Sequence, residues 1–271
     1  MRFSKSVATL LAMSALGLAA TSASATSLRV TITNNAPAGG VYLTPVWSAF
    51  HDGTFDTFST GSGASAGLEA IAEDGNVAPL SAEFGAAQAN GVQGVTGMAP
   101  VAPGQTVSQT FEVSGDGSNS YFSYASMVLP SSDYFVGNGN PLAHDISAIF
   151  DGLVNEIVFN IGVPGTVYDA GTEVNDFATS AGNGLFANIP GGQMGPNQGA
   201  DENGLVSAVD NPFGNFLNAD GLDLALLNFG NASLYANGIA TVTITVVPVP
   251  AALPLFAAGL GALGFFRRRR A

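Results

Sequence analysis

Residues 240–247 read ATVTITVV and carry the clearest strand pattern in the chain. Val and Ile alternate with Thr, which is the period of a β-strand that has one buried face and one solvated face. β-branched residues of this kind also favour extended backbone. We therefore predict a strand here, with Val and Ile directed inward and Thr directed outward.

Similar apolar segments recur along the chain, separated by turns that contain Gly, Pro and Asn. They are residues 28–34, 41–47, 105–113, 120–129 and 153–161. Residues 65–73 and 79–89 predict two short helices, the second with Ser81 as its N-cap. Short strands, frequent turns and one or two small helices predict an all-β fold, an antiparallel β-sandwich with long loops.

The first 25 residues predict a signal peptide and are set apart from the fold. Arg2 and Lys5 form a charged start, an apolar run follows, and Ala23-Ser24-Ala25 has the form of a cleavage site. The pattern predicts export and leaves residues 26–247 as the folded domain.

The other end, residues 248–271, predicts a sorting signal. A Val-Pro-Val-Pro-Ala start at 247–251 leads into an uncharged run of 16 residues, 251–266, and then into four Arg at 267–270. This order resembles the C-terminal signals of the PEP-CTERM type. The resemblance implies recognition by an exosortase-type enzyme, transient anchoring in the inner membrane of a Gram-negative bacterium, and release at the cell surface. A permanent single-helix anchor is the alternative.

Between the two ends the chain is very acidic. Arg29 is its single basic residue against 20 Asp and Glu, so the formal charge is near −19. Such a domain is a poor partner for nucleic acid or an anionic membrane surface. The chain has no Cys, which excludes disulfides and thiol chemistry. Stability must come from a buried core.

An acidic loop stands out at residues 166–176, TVYDAGTEVND. It places Asp169, Glu173 and Asp176 close together, with Gly171 between the first two. Carboxylates this dense repel one another unless a counter-charge is present. Ca²⁺ suits this role because it takes six to eight oxygen ligands. A solvated acidic loop is the alternative interpretation of these residues alone.

Several stretches together resemble the spondin N-terminal domain family. They are LRVTITNN at 28–35, the segment 41–75, ASMVLPSSDYFVG at 125–137 and VYDAGTEVND at 167–176. The resemblance implies a C2-like β-sandwich that binds Ca²⁺ at its loop ends. It implies Asp133 and Asp169 as ligands, with Glu173 where the family commonly has a second aspartate. The residues themselves also favour a meeting of Asp133 and Asp169, because each follows a predicted strand.

Two further groups of residues contain side chains that could form a site. His51 and His144 each precede an aspartate, but neighbouring residues on a strand point to opposite faces, so we interpret both as structural. Acidic residues at 201–203, 210 and 220–223 could form a second Ca²⁺ site, although they lack EF-hand spacing.

The expected function is that of a secreted or surface-sorted, non-enzymatic adhesion module. It would bind Ca²⁺ and an exopolysaccharide or a surface protein of the extracellular matrix. Two alternatives stay open from the sequence. One is a hydrolase of extracellular polysaccharide that uses paired carboxylates. The other is a structural biofilm component without a specific ligand.

Overall fold

The computed structural model describes residues 25–176, 199–214 and 222–248. The predicted signal peptide and sorting tail fall almost wholly outside the described residues. The elements, in chain order, are β1 (Thr26–Asn34), β2 (Tyr42–Leu43), β3 (Val46–His51), α1 (Ala66–Asp74), α2 (Ala78–Ala87), β4 (Val92–Thr96), β5 (Thr106–Val113), β6 (Tyr121–Leu129), β7 (Tyr134–Gly137), α3 (Ser147–Phe150), β8 (Glu156–Ile161), β9 (Val167–Asp169), β10 (Ser207–Ala208), α4 (Leu224–Leu227) and β11 (Ala240–Val246).

The first sheet is built around the pair β1 and β11. Its strand order is β5-β1-β11-β8, and every pairing is antiparallel. Val30 lies opposite Ile244, and both are fully buried, whereas Thr31 and Thr243 form the next pair and are half-buried. The alternation predicted for residues 240–247 is therefore confirmed, and it fixes which face of this sheet points to the core.

The second sheet has seven strands in the order β10-β9-β7-β6-β3-β4, with β2 also paired to β6. Its pairings are antiparallel as well. All residues of β3 are buried, as are all but the first of β6. Both faces of these two strands are covered, which is why neither segment alternates cleanly. The predicted all-β, sandwich-like fold is confirmed.

Two separate hydrophobic cores lie on the two faces of the second sheet. One fills the space between the sheets and includes Phe50, Phe122 and Ile244. The other lies under α1 and α2 and includes Trp47, Phe84 and Phe135. Trp47 packs edge-on to Phe84, and its Nε1 donates to Oε1 of Gln93 at 2.8 Å. The single tryptophan thus anchors the helices to the sheet.

Several predicted elements differ in detail from the observed ones. The strand predicted at 41–47 is broken before Pro45 into β2 and β3, since proline cannot donate to a ladder. The prediction of Ser81 as an N-cap is wrong, because α2 begins earlier, with Val77 as its N-cap. The side chain of Val77 makes no capping hydrogen bond, but Oδ1 of Asn76, the residue before it, accepts one from the N–H of Ala78 at 3.1 Å.

Both histidines have structural surroundings. His51 accepts a hydrogen bond at Nδ1 from the N–H of Gly53, and its Nε2 lies 2.8 Å from Oγ of Ser123. His144 stacks on Phe159, with ring centroids 3.8 Å apart. Burial lowers the pKa of His51, and it lowers the pKa of His144 to about 4. Both rings are neutral at physiological pH.

The described residues contain no helix that combines the length and the apolar character needed to cross a membrane.

We expect Ile244→Ala to lower the free energy of unfolding by about 2–5 kcal/mol, because it opens a cavity in the core between the sheets. Thr243→Ala, at the neighbouring position on the other face, should change it by about 0.5 kcal/mol or less. Urea unfolding of both variants measures the difference. Equal losses would contradict the observed orientation of β11.

Acid should destabilise the fold partly through His144. Its pKa is lowered from 6.5 to about 4, so the folded state resists protonation that the unfolded chain accepts. This contribution to stability is fully present above pH 6.5 and is lost as the pH falls towards 4. Unfolding free energies measured across this window should fall less steeply for His144→Gln than for the parent protein. Parallel curves for the two proteins would refute this role of the histidine.

Candidate functional site

The site lies where β6, β7 and β9 come together at one edge of the sandwich. Asp133 stands in the short connection between β6 and β7 and is fully buried. Asp169 is the last residue of β9 and lies opposite Tyr134 in the pairing of β7 with β9. The N–H of Ala170 donates to the carbonyl oxygen of Asp133 at 3.2 Å. The backbone therefore holds the two aspartates next to each other.

The two carboxylate oxygens of Asp133 have different surroundings. Oδ2 accepts hydrogen bonds from the N–H of Thr172 at 2.8 Å and from the N–H of Glu173 at 3.2 Å. The hydroxyl of Thr172 lies 3.3 Å from the same oxygen. Oδ1 is buried and has no hydrogen-bond partner among the described residues. A buried oxygen without a partner costs desolvation free energy, and a ligand bound to Oδ1 would offset that cost.

Asp169 organises the loop that follows it. Its Oδ1 accepts from the N–H of Gly171 and its Oδ2 from Nδ2 of Asn175, both at 2.8 Å. Gly171 has a φ of +67°, which only glycine adopts without strain. A Cβ at this position would also lie 2.8 Å from the backbone nitrogen of Leu205. Glycine in the motif DAGT is thus required by the backbone.

A second segment, residues 199–205, runs beside this loop. The N–H of Glu202 donates to the carbonyl oxygen of Thr172 at 3.0 Å, and the N–H of Gly204 donates to that of Gly171 at 2.6 Å. Glu173 and Asp201 form an isolated antiparallel bridge. These contacts bring a second set of carboxylates to the site from a part of the chain remote in sequence.

The electrostatics of the site are unfavourable without a counter-charge. Burial, followed by the charges of Asp169 and Glu202, raises the pKa of Asp133 to about 7. Burial and the charge of Asp169 also raise the pKa of Glu202. Arg29 is the single Lys or Arg between residues 26 and 247, and it lies exposed on β1 in the other sheet. No basic side chain of the domain can neutralise these acids.

Of the three predicted ligands, two lie side by side and the third has its side chain directed elsewhere. Asp133 and Asp169 are adjacent. Glu173 contributes its backbone N–H to Asp133, but its buried side chain lies against Gly199. Glu202, one of the acids of the possible second site, is a third acid here: its charge acts on Asp133, and the charge of Asp169 acts on Glu202. The sequence gives no local signal for this, because the contact depends on long-range backbone pairing.

Within the three described stretches, no group of three His, Cys, Asp or Glu side chains is arranged to hold a metal ion alone. The residues fit a cation in a more limited way. Asp133 offers a buried oxygen without a hydrogen-bond partner, and Asp169 lies beside it. A cation there would need carbonyl oxygens or water as further ligands, and Ca²⁺ accepts both.

Among the described residues, the other acids of the possible second site form no group of three that could hold a metal ion. Asp201 lines a groove of about 350 Å³ beside Thr172, together with Glu69. Asp210 is exposed, and Asp223 caps α4 by accepting from the N–H of Ala225 at 3.1 Å. Asp220 lies outside the described residues.

Comparison with known proteins agrees with the resemblance in the sequence. A search of curated proteins finds no match to the chain. The family model of the spondin N-terminal domain, Spondin_N, matches residues 29–181. The matched part runs from β1 through β9 and contains Asp133, Asp169 and Glu173. Because this match covers more than half of the chain, the protein belongs to the spondin N-terminal domain family.

Proposed function

We propose that the protein is an exported binding module that uses Ca²⁺ at Asp133 and Asp169 to order the loops facing a partner. The family is one of extracellular, adhesion-type modules without enzymatic activity. The partner is an exopolysaccharide or a surface protein of the extracellular matrix. In this proposal Ca²⁺ is structural, and binding of the partner is the function.

The observation that carries the proposal is the buried, unpartnered Oδ1 of Asp133 beside a second aspartate. A buried carboxylate normally has an ion pair or a full set of hydrogen bonds. Asp133 has hydrogen bonds on one oxygen and acidic neighbours on the other side. Since the domain has no nearby basic residue, the missing positive charge has to come from solution.

A cation at this place would act on two segments at once. Residues 169–176 are held to Asp133 through the N–H groups of Thr172 and Glu173. Residues 200–204 are held to the same loop by backbone hydrogen bonds. Neutralising Asp133 and Asp169 removes their repulsion, and both segments are then stabilised together. Ligand-free protein should therefore have looser loops at this edge.

The two ends of the chain complete the proposal. Residues 1–25 direct export, and residues 248–271 anchor the chain transiently until an exosortase-type enzyme releases it. We expect the intact mass of the released protein to correspond to a chain that begins near residue 26 and ends within residues 248–271, before the four terminal Arg. A released chain that retains the four terminal Arg would exclude removal of the tail.

Ca²⁺ should stabilise the exported protein. At a concentration of about 100 times Kd, one site that binds only the folded state adds about 2.7 kcal/mol. Thermal unfolding in Ca²⁺ and in EGTA measures the gain. Asp133→Asn should abolish it, since the variant loses the negative charge and one acceptor oxygen.

Without Ca²⁺, Asp133→Asn should be at least as stable as the parent protein above the raised pKa of about 7. The amide can still accept from Thr172 and no longer repels Asp169. Asp151→Asn, at an exposed position, is the matched control and should keep the full gain from Ca²⁺. An unfolding temperature that is the same in Ca²⁺ and EGTA would overturn the proposed metal site.

A further inference from the structure

A second feature lies away from the acidic site, at the end of β7. A cavity of about 370 Å³ opens there between the loop after β3, the turn after β7, and the strands β6, β8 and β9. Its volume lies at the lower end of the range of about 300–1,000 Å³ that is typical of small-ligand sites. The cavity is large enough for one or two sugar rings.

The lining carries no charge, although the domain as a whole is strongly acidic. Among the described residues, no Asp, Glu, Lys or Arg lines the cavity. His144 lines it in its neutral form, because burial lowers its pKa to about 4. A charged ligand would lose its hydration here without gaining a counter-charge, which is unfavourable.

Several polar groups in the lining have no partner within the described residues. Tyr124 is 5% exposed and lines the cavity, and its hydroxyl makes no hydrogen bond with the described residues. The ring nitrogens of His144 also have no hydrogen-bond partner among the described residues. The Asn140 side chain uses only Oδ1, which accepts from the N–H of Leu142 at 3.0 Å, so its Nδ2 is available as a donor. A purely apolar ligand would bury these groups unsatisfied, at a cost for each of them.

The aromatic side chains of the lining are held in place from behind. Phe58 packs on Phe135 and on Tyr168, with ring centroids 5.0 Å and 4.7 Å apart. His144 is stacked on Phe159. Rings fixed in this way offer apolar surface without a loss of side-chain entropy on binding, and Tyr adds a polar end.

Asn138 fixes the turn that forms one wall. Its Oδ1 accepts from the N–H of Tyr124 at 3.0 Å, where the pairing of β7 with β6 has ended. Its Nδ2 donates to Oγ of Ser123 at 2.9 Å and to the carbonyl oxygen of Asn140 at 3.2 Å. The wall is therefore built before any ligand arrives.

A ligand for this cavity must be uncharged, must offer many hydroxyl groups, and must have apolar faces that fit aromatic rings. Saccharides combine these properties, since the C–H faces of a sugar ring pack on aromatic surfaces while its hydroxyls donate and accept hydrogen bonds. We propose that the cavity bounded by Tyr124, Asn140 and Tyr168 is a binding site for a neutral saccharide.

A neutral saccharide would be the partner in the binding function proposed above, so the saccharide site rests on that proposed function. The saccharide site is made by other residues than the cation site, because Asp133 and Asp169 do not line the cavity. Every measurement is therefore made in Ca²⁺ and again in EGTA. Sugar binding without any effect of Ca²⁺ on stability would overturn the metal site and leave the saccharide site standing.

The test is an NMR titration of the exported, ¹⁵N-labelled protein with glucose, galactose, mannose, N-acetylglucosamine, maltose and cellobiose. Glucuronate serves as the charged counterpart of glucose. We expect at least one neutral sugar to shift the amide signals of residues 138–144 and 166–168 in a saturable way, and glucuronate to bind more weakly than glucose. Tighter binding of the disaccharides than of the single sugars would point to a polysaccharide chain as the source.

Two variants locate the binding. Tyr124→Phe removes a hydroxyl that has no described protein partner, so the fold should keep its stability while sugar affinity falls about three- to tenfold. Tyr121→Phe, on the same strand but outside the lining, is its control. Asn140→Asp keeps the acceptor for Leu142, removes the donor and adds a charge, and should weaken binding at least as much.

Asn231→Asp is the control for the second variant. Its Oδ1 accepts from the N–H of Ser233 at 3.1 Å in the same kind of turn, and it does not line the cavity. The proposal is overturned if none of the neutral sugars shifts the named signals. It is also overturned if glucuronate binds as well as glucose, or if Tyr124→Phe and Asn140→Asp bind sugar like their controls.

Discussion

The central constraint on this structure is that β3 and β6 are covered on both faces. The four-stranded sheet packs on one side and the helices α1 and α2 pack on the other, and each side has its own hydrophobic core. Apolar side chains of this strand pair are buried on both faces of one sheet, and a chain without cysteine depends on such burial for its stability. The shorter strands β2, β4 and β7 all pair with β3 or β6. The edge that carries the acidic site is thus fixed by strands that are stabilised elsewhere.

How far the sequence predicts this fold depends on where each strand lies. The strands β1, β5 and β11 show local alternation, because one face is solvated, and β6 is long and rich in aromatic residues; all four are evident from the sequence. The strands β7 and β9 have four and three residues, and they form because partners are available: β7 pairs with β6, and β9 pairs with β7. No local pattern marks such strands. The break before Pro45 could be anticipated from proline chemistry, whereas the early start of α2 could not.

The same distinction applies to the acidic site. Asp133 and Asp169 were predicted as neighbours on the assumption that each follows a strand in the same part of a sheet. The structure makes them neighbours through β7 and β9, whereas β8, the strong strand before Asp169, belongs to the other sheet. The approach of Glu202 depends on hydrogen bonds between residues 171–174 and 200–204. Between residues 26 and 247 the chain has no Lys and no Arg except Arg29, and this is visible in the sequence. It defines the electrostatic problem that the proposed cation would solve.

Strand β9 joins the two regions that we propose as binding sites. Tyr168 lines the uncharged cavity, and the next residue, Asp169, belongs to the carboxylate cluster. Consecutive side chains of a strand point to opposite sides, so one peptide unit separates the two environments. Any ligand that rigidifies this short strand from one side lowers the entropic cost of occupying the other. By thermodynamic reciprocity, each ligand would then raise the affinity for the other by the same factor. Such cooperativity would need no displacement of the backbone, only reduced motion of the three residues of β9.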